Sequence, residues 1–84
     1  MPTTSTTNLK ILAFLIAAKI EVNLYRKPGN AQTVVGEFPD NERTRSLIQS
    51  YERRLTVPDV PQKSVMQAYA ELGYERKRLI MEAL

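Results

Sequence analysis

Catalysis at neutral pH draws most often on histidine and cysteine, because only their side chains titrate near that range without strong perturbation. This chain has neither among its 84 residues. Ordinary zinc sites need the same nitrogen and sulfur ligands and are excluded with them. The remaining candidates are carboxylates, Lys, Ser, Thr and Tyr. No base, nucleophile and orienting group fall together along the chain, and no two carboxylates are placed as an acid–base pair. Three glycines cannot build a glycine-rich phosphate cradle, and no Walker-type loop is present. The expectation is a protein that is not an enzyme, with no cofactor, no metal and no small-molecule substrate.

The residues left to recognise something are cations and tyrosines. Arg43, Arg45, Arg53 and Arg54 crowd one helical segment, but the projection spreads them around it. Arg43 and Arg54 flank an apolar stripe, while Arg53 lies near Glu42 and Arg45 near Glu52. Glu75-Arg76-Lys77-Arg78 is the densest charged run, and Glu71 and Glu82 dilute it. Arg26 and Lys27 precede Pro28-Gly29-Asn30, a basic turn that could meet phosphates. Lys19, Arg26, Lys27, Arg43, Arg54, Arg76 and Lys77 are therefore the candidate contacts for nucleic acid or an acidic partner. Tyr25 and Tyr74 are the freer aromatic candidates, whereas Tyr51 and Tyr69 fall on expected core stripes.

Net charge is +3. All of it comes from residues 1–34, where Lys10, Lys19, Arg26 and Lys27 stand against Glu21. The remainder is balanced. A basic excess suits nucleic acid or an acidic protein. Hydrophobic residues at 43% mark a globular chain rather than a disordered one.

These side chains must be positioned by one small domain. A chain of this length buries only about 60% of the surface that it exposes when unfolded. With no disulfide to help, a partner subunit is the remaining common source of stability. Absent cysteine also suits a reducing compartment, and the expected location is cytoplasmic. Residues 11–18 form an apolar run closed by Lys10 and Lys19. A spanning helix needs about 20 such residues, so no membrane partner is expected. The Thr-rich flank and the lack of a clear cleavage site argue against a signal peptide.

Residues 1–8 read as a flexible polar N-terminal tail and residues 9–84 as a single small α+β domain. Asn8 or Thr7 caps a first helix running from Leu9 to about Lys19. Leu9, Leu12, Ala13, Ile16 and Ile20 share a stripe, while Ile11, Phe14 and Leu15 point elsewhere, so the helix is apolar nearly all round. Residues 20–25 alternate like a half-buried strand. Pro28-Gly29 suits a type II turn in a loop longer than two residues, and residues 33–38 return as a second strand. Asp40 is placed to cap a second helix with the stripe Thr44, Leu47, Ile48, Tyr51 and Leu55. Residues 57–61 form an extended connector. A third helix begins near Pro61, with Val65, Met66, Tyr69, Leu72, Leu79, Ile80 and Ala83 as its apolar positions. Gly73 is expected to mark a kink, a fray point or a close contact in it.

The order of these elements, with Leu12-Ala13-Phe14-Leu15, Val35-Gly36-Glu37-Phe38, Leu47-Ile48-Gln49-Ser50-Tyr51 and Val65-Met66-Gln67-Ala68-Tyr69, resembles small uncharacterised proteins of bacteria and their phages. The resemblance rests on core positions and implies a fold, with no activity and no site.

The expected architecture is α-β-β-α-α, a two-stranded antiparallel ribbon packed on helices. A first helix with more apolar surface than such a ribbon covers implies a homodimer or a protein partner. Ile11, Phe14, Leu15, Leu79 and Ile80 are the candidate interface. The expected function is a small protein-interaction or regulatory module. The alternative is a nucleic-acid-binding accessory protein in which the basic hairpin meets the arginines of the second helix.

Overall fold

The computed structural model describes residues 2–54, 57 and 60–82. The element order is β1 (Thr3–Thr6), α1 (Leu9–Ala17), β2 (Asn23–Lys27), β3 (Asn30–Pro39), α2 (Glu42–Glu52) and α3 (Gln62–Glu82). The fold is α+β, as expected, but the two-stranded ribbon is a three-stranded antiparallel sheet in the order β1-β3-β2. The added strand comes from the segment read as a flexible tail. Thr4 pairs with Phe38 and Thr6 with Gly36, and Asp40 donates its backbone N–H to the Pro2 carbonyl at 3.0 Å. A run of Thr and Ser has no apolar alternation to announce it. Its backbone is nonetheless satisfied by the free edge of β3, and β-branched Thr suits the extended conformation.

The hairpin is tighter than expected. Lys27 pairs with Asn30 across Pro28-Gly29, and Gly29 takes φ +81°, the value that the third position of a type II turn requires. The length that suggested a longer loop is absorbed as a bulge, because pairing jumps from Arg26–Val34 to Lys27–Asn30.

One face of β3 carries the core. Phe38 joins the core cluster and Leu12 of α1 lies directly over Gly36, while Val34 and Val35 are both buried. Leu12, Ala13 and Leu15 of α1 pack with Phe38, Ala68 and Leu72, while Phe14, Ala17 and Ala18 pack with Val60. The all-round apolarity of α1 is thus consumed inside one chain. Gly36 and Phe38 of β3 meet one side, α3 another, and Tyr51 of α2 meets Phe14 with ring centroids 5.5 Å apart. Phe14 and Leu15 are buried and are withdrawn from the candidate interface. Ile11, Leu79 and Ile80 are half-buried.

Helix ends follow local chemistry. The Asn8 side chain accepts the N–H groups of Lys10 at 3.0 Å and Ile11 at 3.4 Å, the ordinary duty of an N-cap. Helix α2 is capped by Asn41 rather than Asp40, in a capping box closed reciprocally with Thr44. Asp40 instead pairs with Arg45 at 3.1 Å. Helix α1 ends two residues before the expected Lys19, at Ala17, and β2 begins later than the alternation implied, at Asn23. Helix α3 runs unbroken through Gly73. Among the described residues, a Cβ built there would meet nothing within 4 Å, so neither the kink nor the close contact offered as alternatives is seen there. Leu55 and Ala83 of the expected stripes lie outside the described residues. No helix among those described is long and apolar enough to cross a membrane.

Candidate interaction surface

The cations proposed as contacts divide by what they already do. Lys19 sits just past α1 with φ 68°. Its N–H donates to the Ile16 carbonyl and that of Ile20 to the Leu15 carbonyl, both at 2.9 Å. This is a Schellman closure with lysine where glycine is usual. Arg43 donates from its guanidinium to the Ala18 carbonyl at 3.0 Å, so the same helix end receives a cation and a hydrogen bond. Arg54 occupies the equivalent left-handed position after α2, with φ 56°. Lys19 and Arg54 therefore close helix C-termini through their backbones, and Arg43 does so with its charged group.

One denaturation experiment checks this assignment. Arg43→Ala should lower stability by about 1 kcal/mol through the lost hydrogen bond and charge–dipole contact. Lys19→Gly should raise it by about 1 kcal/mol by removing the left-handed strain. Unchanged urea midpoints for both variants would mean that neither residue governs the end of α1.

Arg26 and Lys27 are exposed at the hairpin tip. Helix α2 begins beyond the opposite end of β3, about 30 Å away along ten residues of strand. The expected meeting of the basic hairpin with Arg43 is therefore corrected: strand length holds them apart. Arg76 and Lys77 lie exposed on α3, where Arg76 approaches Asn8 and Lys10 at the start of α1. Arg78 is held between Glu75 and Glu82, each at 2.7 Å. The hydrogen bond and charge of Glu75, and then Glu82, raise it further above the usual guanidinium range.

The surface that sequence reasoning missed is apolar and lies on α3. Met66 is 66% exposed, Tyr74 78% and Met81 61%. With Ala70, Gly73 and Lys77, all exposed, they recur at intervals of three and four residues and form one stripe. It lies about 160° around the helix from Val65, Ala68, Leu72 and Leu79, which face the rest of the chain. Two apolar stripes on opposite sides of one helix were the available signal. Placing Met66 and Tyr69 in a single core stripe concealed it. Tyr69 is 44% exposed rather than packed. With Met66 and Val65 it lines an open groove of about 350 Å³ against Ala13 and Tyr51, with Lys10 at the rim. The glutamates of α3 keep to other sides of the helix, where Glu71, Glu75 and Arg78 line a separate cleft beside β2.

Among the described residues, no three His, Cys, Asp or Glu side chains cluster as metal ligands. No family model matches the chain, and no similar curated protein or solved structure is found.

Proposed function

We propose that this protein is a small non-enzymatic interaction module whose working surface is the outer face of α3. One observation supports the reading: Met66, Tyr74 and Met81 stand more than half exposed on one stripe of a helix whose other side is packed in the core. Large apolar side chains grouped on a surface are unfavourably hydrated until something covers them, and such patches mark contact sites. The dispersal of the cations, with the Arg43 guanidinium committed to the end of α1, weighs against the nucleic-acid alternative.

Site-specific photo-crosslinking in cells tests the reading. A benzophenone side chain in place of Tyr74 should give discrete protein adducts. The same group in place of Gln32, on the hairpin, should give none. Adducts at both positions alike, or nucleic acid captured at position 32 and nothing at position 74, would overturn the assignment.

A further inference from the structure

Among the described residues, nothing within its own chain accounts for Gly73. A glycine inside a helix costs about 1 kcal/mol relative to alanine, and small residues in helices otherwise serve close approach. Yet the space beside Gly73 is open to 4 Å, and the residue is exposed in mid-helix. Its neighbours on the stripe are Met66, Ala70, Tyr74, Lys77 and Met81.

We infer that the stripe is covered by a second copy of itself, with two α3 helices packed antiparallel about a two-fold axis between residues 73 and 74. This rests on the reading of α3 as the interaction surface and names its occupant. In that register Gly73 faces Tyr74 of the partner subunit, Ala70 faces Lys77 of the partner subunit, and Met66 faces Met81 of the partner subunit. Each small residue meets a large one, so the tyrosine ring fills the gap over the glycine, as close-packed interfaces require. The aliphatic stem of Lys77 covers Ala70 while its ammonium reaches solvent. No cation faces a cation. The glutamates that would repel one another across the axis lie off the stripe. Parallel packing lacks this match, because it sets Lys77 against Lys77 and leaves Gly73 without a filling side chain. Met66, Tyr74 and Met81 are each more than half exposed, so pairing the two stripes buries on the order of 1,000 Å², at the lower bound of specific interfaces. A micromolar dimer is expected.

Sedimentation equilibrium of the full chain tests this. The wild type should show a monomer–dimer equilibrium with a dissociation constant of about 10–100 µM. Gly73→Leu fills the open space and favours the helix, so the fold should persist by circular dichroism while dimerisation weakens at least about 10-fold. Met66→Lys and Met81→Glu should each weaken it about 10-fold. Combined in one chain they should recover most of the loss, because position 66 faces position 81 only in the antiparallel register. A wild type that is monomeric at about 1 mM, a dimer indifferent to Gly73→Leu, or a double variant no tighter than the single ones would overturn the inference. The mass of the position-74 crosslink separates this failure from that of the broader reading. An adduct of twice the chain mass supports self-pairing. A discrete adduct of any other mass overturns it and leaves the interaction surface in place.

Discussion

Gly36→Ala should cost about 2 kcal/mol and Gly36→Val more than about 3 kcal/mol, a large share of the 5–8 kcal/mol or so expected of a domain this small. A Cβ at position 36 would press into Leu12, overlapping both of its terminal methyl carbons and lying 3.0 Å from Cγ. A side chain can yield when its far end is free. Leu12 is 0% exposed and packed in the centre of the core, so rotating it creates another overlap. Gly36 itself is held by β2 on one side and β1 on the other, through Leu24 and Thr6, so the central strand cannot retreat either. Interiors of this density transmit such strain rather than absorb it. Leu12→Ala alone should cost about 3 kcal/mol by leaving a cavity. With Gly36→Ala it should cost less than the sum, because the new methyl enters the space that the old side chain left. A double-mutant cycle by urea denaturation measures the coupling. A neutral Gly36→Ala would mean that α1 does not lie on β3 as described.

Thr44→Val should destabilise the fold by about 2 kcal/mol although it preserves shape. Thr44 is the one polar residue among the described ones that is buried, at 1% exposure. Its hydroxyl donates to the Pro39 carbonyl at 2.8 Å and accepts the Asn41 N–H at 3.1 Å. In return the Asn41 side chain accepts the Thr44 N–H at 3.0 Å. The residue therefore fastens the end of β3 to the first turn of α2. Valine keeps the volume but removes the partner of the Pro39 carbonyl and the Asn41 N–H at a partly buried junction. Thr44→Ser, which keeps the hydroxyl and loses one methyl, should cost about 1 kcal/mol. Asn41→Ala should also cost about 1 kcal/mol, and the pair should be less than additive because both belong to one capping box. Thermal and urea unfolding check the series. Valine and wild type unfolding at the same midpoint would show that these hydrogen bonds carry no net stability.

Much of the local structure was legible in the chain because it depends on near neighbours. The Pro28-Gly29 turn and the stripe from Thr44 to Tyr51 are short-range features placed from residue type and spacing, and the first cap was narrowed to Asn8 or Thr7, of which Asn8 is the one used. The choice of Asn41 over Asp40 as cap was not legible, since either carboxyl or amide oxygen suits the role and only the entry of the chain from β3 selects one.

Composition alone determined which chemistries this protein lacks the residues for, since no fold supplies an absent imidazole or thiol. Spacing determined three helices and a hairpin, because helical and extended periods are local properties of the backbone. Only the tertiary structure decided that Thr3–Thr6 is a strand, because its pairing partners, from Gly36 to Pro39, lie far along the chain on β3. Only the tertiary structure placed Lys19 and Arg43, distant in sequence, at one helix end. It also decided which of the two apolar stripes of α3 the core would cover. Both satisfy the same helical period, and the difference lies in which side α1 and the sheet approach, a fact held by the packing of distant segments and by no residue of α3 itself.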